Sequence, residues 1–208
     1  MTKRDPFPTF GLDTERIRGK VLVKLIKNSG NDRVLDVLRS FLQPGAVLSI
    51  ASGDFSLLAF SELRDLLSKL TECRLIVADP TKADLGLLGS DADRAARNKL
   101  QARWLATRCF EWLSSKALVH LTSISLPQST IVVSQPESSG EFALTGTCPL
   151  TTAGLGLTPS NQFGLIQFAE SPDEASLLAS WFAQLWASTA EGQAKEVLLA
   201  LLAGISDL

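Results

Sequence analysis

The sequence predicts an α/β domain with a mixed, mostly parallel central sheet and helices on both faces, and three observations predict it. Ala46 to Gly53 and Arg74 to Pro80 are compact apolar runs closed by Gly or Pro, the pattern of buried strands. Between them Phe60, Leu63, Leu66, Leu67 and Leu70 recur at helical spacing, so the order is strand, helix, strand, as in a βαβ unit with parallel strands. Four later strand-like runs and three further helical periods follow.

Each element has its own warrant. Residues 1–30 read as a basic N-terminal arm, Pro-rich at its start, carrying one short β-like run at Val21 to Ile26, with the domain spanning 31–208. Asn31-Asp32 precedes an apolar period at Val34, Leu35, Val37, Leu38, Phe41 and Leu42, a helix with a capping residue ahead of it and Pro44-Gly45 after it. The ends of the first two buried strands, Ser52-Gly53-Asp54 and Ala78-Asp79-Pro80, should share one edge of the sheet, where open α/β sheets place ligands. Residues 82–90 read as a loop, and 91–115 as a long helix that buries Leu100, Trp104, Leu105, Phe110, Trp112 and Leu113.

Residues 117–124 and 130–133 read as strands, 136–140 as a turn, and 142–145 and 163–168 as strands. Ser171-Pro172-Asp173-Glu174 combines an N-cap, a proline at the first helical position and a Glu three residues after the cap. The helix it opens should bury Leu177, Leu178, Trp181, Phe182, Leu185 and Trp186, and a last helix covers 191–203 and stops near Gly204.

Composition narrows the chemistry. With 208 residues, 45% of them hydrophobic, the chain can bury one substantial core. Twenty basic against 22 acidic residues leave a net charge of −2, which gives no overall pull toward nucleic acid or membrane. The first 33 residues nevertheless hold eight basic and four acidic side chains. Arg16, Arg18, Lys20, Lys24 and Lys27 there, with Arg97 and Arg103 of the long helix, are the candidate nucleic-acid contacts. Cys73, Cys109 and Cys148 are odd in number and lack CxxC spacing, which argues against a disulfide framework or a zinc site and for a reducing cytoplasm. The N-terminus has no apolar signal region, and no apolar run is long enough to span a bilayer. Tyr is absent and His120 is the single histidine, so no two-histidine mechanism fits within one chain, and no cofactor or metal is expected.

The stretch Thr145 to Gly156 carries Gly146, Gly154 and Gly156 after an apolar run. Glycine lets backbone N–H groups come close to an anion, so this loop is a candidate phosphate cradle as well as an ordinary turn.

The order of these pieces resembles the phospholipase D-like domains at the N-terminus of bacterial Swi/Snf-type helicases and of restriction and defence proteins. The matching pieces are Val47 to Ser56 with Leu75 to Pro80, Arg97-Asn98 through Leu113, Ala143 to Gly156, and Trp181 to Trp186. In that family a His-x-Lys pair and a Gly-Ser-x-x-Asn segment do the work: His attacks phosphorus, and Lys and Asn hold its oxygens. Carried over, the first pair falls on Gln128 and Thr130, and the second segment on Gly146, Thr147 and Pro149. A glutamine amide cannot form a phosphoenzyme and a threonine supplies no cation, so the resemblance implies a pseudoenzyme with a degenerate motif. It implies a binding or assembly role beside a helicase or nuclease subunit, with DNA or RNA as a further partner. Two other readings stand beside it: a homodimeric phosphodiesterase in which each chain supplies His120, and a purely structural protein-interaction subunit.

Overall fold

A computed structural model describes residues 24–96, 99–135, 140–159, 164–169, 171–189 and 193–207, with the backbone alone for 94–96 and 99. The rest of the basic arm, with Arg16, Arg18 and Lys20, and Arg97 lie outside the described residues. In chain order the elements are β1 (Lys24–Ile26), α1 (Val34–Phe41), β2 (Val47–Ser52), α2 (Leu57–Leu67), β3 (Glu72–Ala78), a 3-10 segment (Asp91–Ala96), α3 (Lys99–Lys116), β4 (Ala117–Thr122), β5 (Ser129–Ser134), β6 (Glu141–Gly146), β7 (Ile166–Ala169), α4 (Pro172–Ser188) and α5 (Ala194–Asp207).

The described strands form one seven-stranded sheet in the order β1-β7-β6-β5-β2-β3-β4. The βαβ reading holds: β2 pairs parallel with β3, and β3 parallel with β4. The expectation of a mostly parallel sheet does not hold, because β2–β5, β5–β6, β6–β7 and β7–β1 are all antiparallel. For β5 and β6 the reason is connection length. Short links from β4 to β5 and from β5 to β6 leave no room for the dozen or more residues that a parallel crossover needs. β1, counted in sequence as part of the arm, closes the outer edge against β7.

Alternation along the strands sends side chains to two cores. Leu48, Ile50, Leu75, Val77, Val119, Ile131, Val133 and Leu144 join Val34, Leu38, Phe60, Leu63, Cys109, Leu113, Leu198 and Leu202 from α1, α2, α3 and α5 in the larger one. On the other face Ala51, Ile76, Val132 and Ala143 meet Ala175 and Phe182 of α4. Helices thus lie on both faces, and unequally.

Helix starts follow local chemistry. Ser56 accepts from the Ala59 N–H at 3.2 Å, and Ser171 from Glu174 at 3.2 Å with Pro172 beside it, as its sequence signature predicts. At α1 the expected Asn31-Asp32 cap is replaced: Arg33 is the N-cap without a side-chain bond, and Asn28 Oδ1 accepts the Val34 N–H at 3.1 Å.

Three helix expectations need correction. Leu100 is 74% exposed, and Trp104 and Phe110 also face out, because Leu105, Cys109, Trp112 and Leu113 set the inner face of α3. Leu177, at 71%, and Trp181 are exposed on α4, whose inner line runs through Ala175 and Phe182. Periodicity defines a stripe but leaves its rotation about the axis to packing. The last helix runs through Gly204, since one glycine costs a helix interior only about 1 kcal/mol against the burial of Leu198 and Leu202.

Candidate functional site

The C-terminal ends of β2, β3 and β4 lie at one edge of the sheet, beside the start of β5 and the end of β6. A pocket of about 420 Å³ opens there, lined among others by Asp54, Ser90, Gln128, Gly146, Thr147 and Pro149. A second hollow of about 410 Å³ shares Gly53, Asp54 and Leu126 with it and adds Asp79, Lys82, Asp84 and Thr122. The two strand ends expected to share an edge therefore do so.

The fold brings together four of the positions assigned by resemblance, Gln128, Gly146, Thr147 and Pro149, on one pocket wall. Thr130 is not among them. It points to the α4 face of the sheet, 1% exposed, with its hydroxyl 3.2 Å from that of Thr145 across the β5–β6 ladder. His120 is also absent from this pocket. It is 7% exposed in β4, stacked on Trp186 with ring centroids 3.6 Å apart. Its Nδ1 lies 3.1 Å from the Trp186 carbonyl and 2.9 Å from Thr189 Oγ1, within hydrogen-bond reach of both. A histidine stacked and bonded in this way ties the end of α4 to the sheet.

Electrostatics set the character of the pocket. No Lys, Arg or His stands among its described lining residues, and Asp54 faces into it. Partial burial, with the nearby charge of Asp84 adding to it, pushes the Asp54 carboxyl above the ordinary aspartate range. In the adjoining hollow Lys82 Nζ is 3.6 Å from Asp79. The hydroxyl and N–H of Thr81 bond to Asp79 and hold its carboxyl low. A carboxylate in a pocket whose described lining holds no cation disfavours phosphate.

Seven N–H groups of the glycine-containing loop are committed to its own neighbours. Its N–H groups at Thr147, Thr151, Leu155, Gly156 and Leu157 donate to the carbonyls of Leu165, Pro149, Thr151, Ala153 and Thr152. Those of Leu150 and Gly154 donate to the hydroxyls of Ser52 and Thr151. The glycines answer to packing within the chain. Gly146 has φ +134°, and a Cβ there would stand 2.0 Å from the Leu165 carbonyl oxygen; a Cβ on Gly154 would stand 1.9 Å from that of Pro149.

Residues with no functional reading in sequence hold this loop in place. Asn28 Nδ2 donates to the carbonyls of Ala153 and Gly154, each at 3.0 Å, while its Oδ1 takes the α1 amide. Asp93, 3% exposed, accepts from Thr152 Oγ1 at 2.6 Å and from the N–H and hydroxyl of Ser90. The Ser-x-x-Asp spacing at 90–93 is a legible capping-box signal for this second clamp. Nothing local announces the reach of Asn28 across 125 residues.

The remaining candidates are dispersed. Lys24 and Lys27 are exposed at the β1 edge, Lys24 with its ammonium 4.9 Å from the Phe168 ring centre. Arg103 projects from the solvent side of α3, which packs against β4 at the opposite edge. These three do not form one patch. Cys73, Cys109 and Cys148 are buried and unpaired, and burial raises all three thiols, Cys148 to about 12. They are structural rather than nucleophilic. Among the described residues no three His, Cys, Asp or Glu side chains are grouped to hold a metal ion, and no helix is long and apolar enough to cross a membrane.

Compared with known proteins, the sequence matches no family model and no curated protein.

Proposed function

We propose that this chain is a non-catalytic binding and assembly module built on a phospholipase D-like plan, serving a nucleic-acid-processing system beside a helicase or nuclease. The observation that carries the reading is the pocket at the sheet edge. It gathers Gln128, Gly146, Thr147 and Pro149 in one wall, and its described lining offers a carboxylate and no imidazole, ammonium or guanidinium. A phosphoryl-transfer site needs a nucleophile and positive charge aimed at the phosphate oxygens. This wall offers neutral hydrogen-bonding groups instead, suited to docking a polar segment. The adjacent loop adds no free donors at the seven amides already bonded within the chain. The burial of His120 under Trp186 weighs against a nuclease in which two copies present that ring to one phosphate.

The catalytic half of the proposal is tested with bis(p-nitrophenyl) phosphate and with single- and double-stranded DNA. Turnover should equal the protein-free blank for the wild type and for His120→Ala alike. Activity that disappears in His120→Ala overturns the pseudoenzyme reading. The nucleic-acid half is tested by gel shift against salt: retardation should weaken as salt rises. No retardation of DNA or RNA at low salt removes nucleic acid as a partner and leaves protein assembly.

A further inference from the structure

The sheet-edge pocket has a neighbour of different character. A hollow of about 470 Å³ shares Thr147 and Pro159 with it and adds Lys27, Asn28, Ser29, Gly30 and Thr158. Its described lining holds one cation and no carboxylate, the reverse of the pocket beside it, where Asp54 stands without a cation. The Lys27 ammonium has no partner among the described residues. The acids nearest to it in sequence already have theirs: Asp32 Oδ2 accepts the Lys27 N–H at 2.9 Å, and Arg33 holds Asp36 at 2.8 Å.

The turn that follows Lys27 supplies further donors. Asn28 has φ +53° and Gly30 φ +60°, with Ser29 between them outside the left-handed region, so the sign of φ alternates along the turn. Alternation of this kind gathers successive N–H groups around one concavity, the arrangement by which backbone nests bind anions. The N–H groups of Asn28, Ser29 and Gly30 donate to nothing among the described residues, and neither does the Ser29 hydroxyl. A Cβ on Gly30 would meet nothing within 4 Å, so the turn is open on that side. The Asn28 side chain ties this turn to the glycine-containing loop at Ala153 and Gly154. The donors are thereby held in place by a clamp that the fold already needs.

We infer that this hollow binds a phosphate group, held by the Lys27 ammonium, the Ser29 hydroxyl and the N–H groups of the 28–30 turn. A phosphate directs its oxygens to several sides, which suits donors that come from a side chain, a hydroxyl and a run of amides. A carboxylate directs its oxygens within one plane. At about 470 Å³ the hollow also has room for the group that carries the phosphate. The inference goes beyond the proposed reading. It places the anion beside the degenerate motif positions, of which only Thr147 lines the hollow, and it holds whether the phosphate belongs to a nucleic-acid backbone or to a small molecule.

The experiment titrates the full chain with inorganic phosphate at constant ionic strength and follows amide resonances by NMR. The Asn28, Ser29 and Gly30 amides should shift together and saturate with one Kd. Lys27→Gln, at an exposed side chain that no described contact uses, should raise that Kd at least about fivefold. Lys24→Gln removes the same charge from β1 outside the hollow and should leave the Kd within about twofold. Acetate in place of phosphate should move the three amides far less. A thymidine oligonucleotide without terminal phosphate then identifies the source. The same shifts mean a backbone phosphate; their absence, with inorganic phosphate still bound, means a free phosphate or a small phosphorylated ligand. The inference is overturned if phosphate leaves the three amides unmoved, if the two lysine variants act alike, or if acetate matches phosphate. Gel-shift retardation with unmoved 28–30 amides keeps nucleic acid as a partner and removes this site; saturable phosphate shifts without retardation do the reverse.

Discussion

Two stretches of backbone in this molecule reverse what their residues suggest. Residues 146–157 are rich in glycine and threonine and read as a ligand cradle, yet the N–H groups of Thr147, Leu150, Thr151 and Gly154 to Leu157 are all spent inside the chain. Residues 117–122 read as an ordinary strand, yet the backbone groups of Val119 and Leu121 turn away from the sheet and bond to nothing among the described residues. Capacity to bind follows where donors and acceptors point, and residue type reports that only indirectly.

The sharpest way to break this contrast is Gly154→Ala. If Gly154 serves internal packing, the added Cβ collides with the Pro149 carbonyl and thermal or urea unfolding should show a loss of about 3 kcal/mol or more. A near-neutral result means the loop has room and could receive a ligand. Next is Asn28→Ala, which leaves the Gly154 carbonyl and the Val34 amide without their partner and takes one of two donors from the Ala153 carbonyl. A loss of about 2 to 3 kcal/mol is expected, with faster amide exchange across 150–157. Gly204→Ala is the matched control, a helical glycine whose Cβ would meet nothing within 4 Å. It should stabilise the protein by about 0.5 to 1 kcal/mol in the same unfolding assay.

The smallest effect is at the pocket. The Asp54 carboxyl is raised in the folded state, so its contribution to stability is full below its unfolded pKa and lost as pH rises through the folded one. Asp54→Asn should therefore gain stability at pH 7 relative to wild type, and the gain should vanish by about pH 3, where both side chains are neutral. Exposure and screening keep it under about 0.5 kcal/mol. A loss of stability at pH 7 would mean that the Asp54 carboxylate has a cationic partner in the folded protein.

What sequence makes legible here is what depends on near neighbours. Ser171-Pro172 starts α4 where its chemistry says, and the apolar runs at β2 and β3 with the period of α2 between them give the parallel unit. The pocket wall was legible as a set of positions, because Gln128 and Gly146 to Pro149 flank strands that the patterns reveal. What escaped depends on pairing between distant segments. The antiparallel half arises from β5, β6, β7 and β1, and no residue in Lys24–Ile26 names Ile166 to Phe168 as its partner. Thr130 fell on the wrong side of the sheet for a pocket residue because a strand residue's side is set by register. Asn28 escaped for the same reason, its role being visible only once Ala153 and Gly154 have arrived beside it.

That distant pairing also imposes an order in time. β2, α2, β3, α3 and β4 lie within residues 47–122 and join through neighbours in the chain, so this half can assemble while the rest is still being synthesised. β1 is made first and must wait for nearly the whole chain, because Lys24 pairs with Phe168. Closing so long a loop is the slow step that topology predicts. Until then the β7 side of β6 is an unprotected edge, and the nascent protein is most exposed to misassociation at the side of the sheet opposite β4.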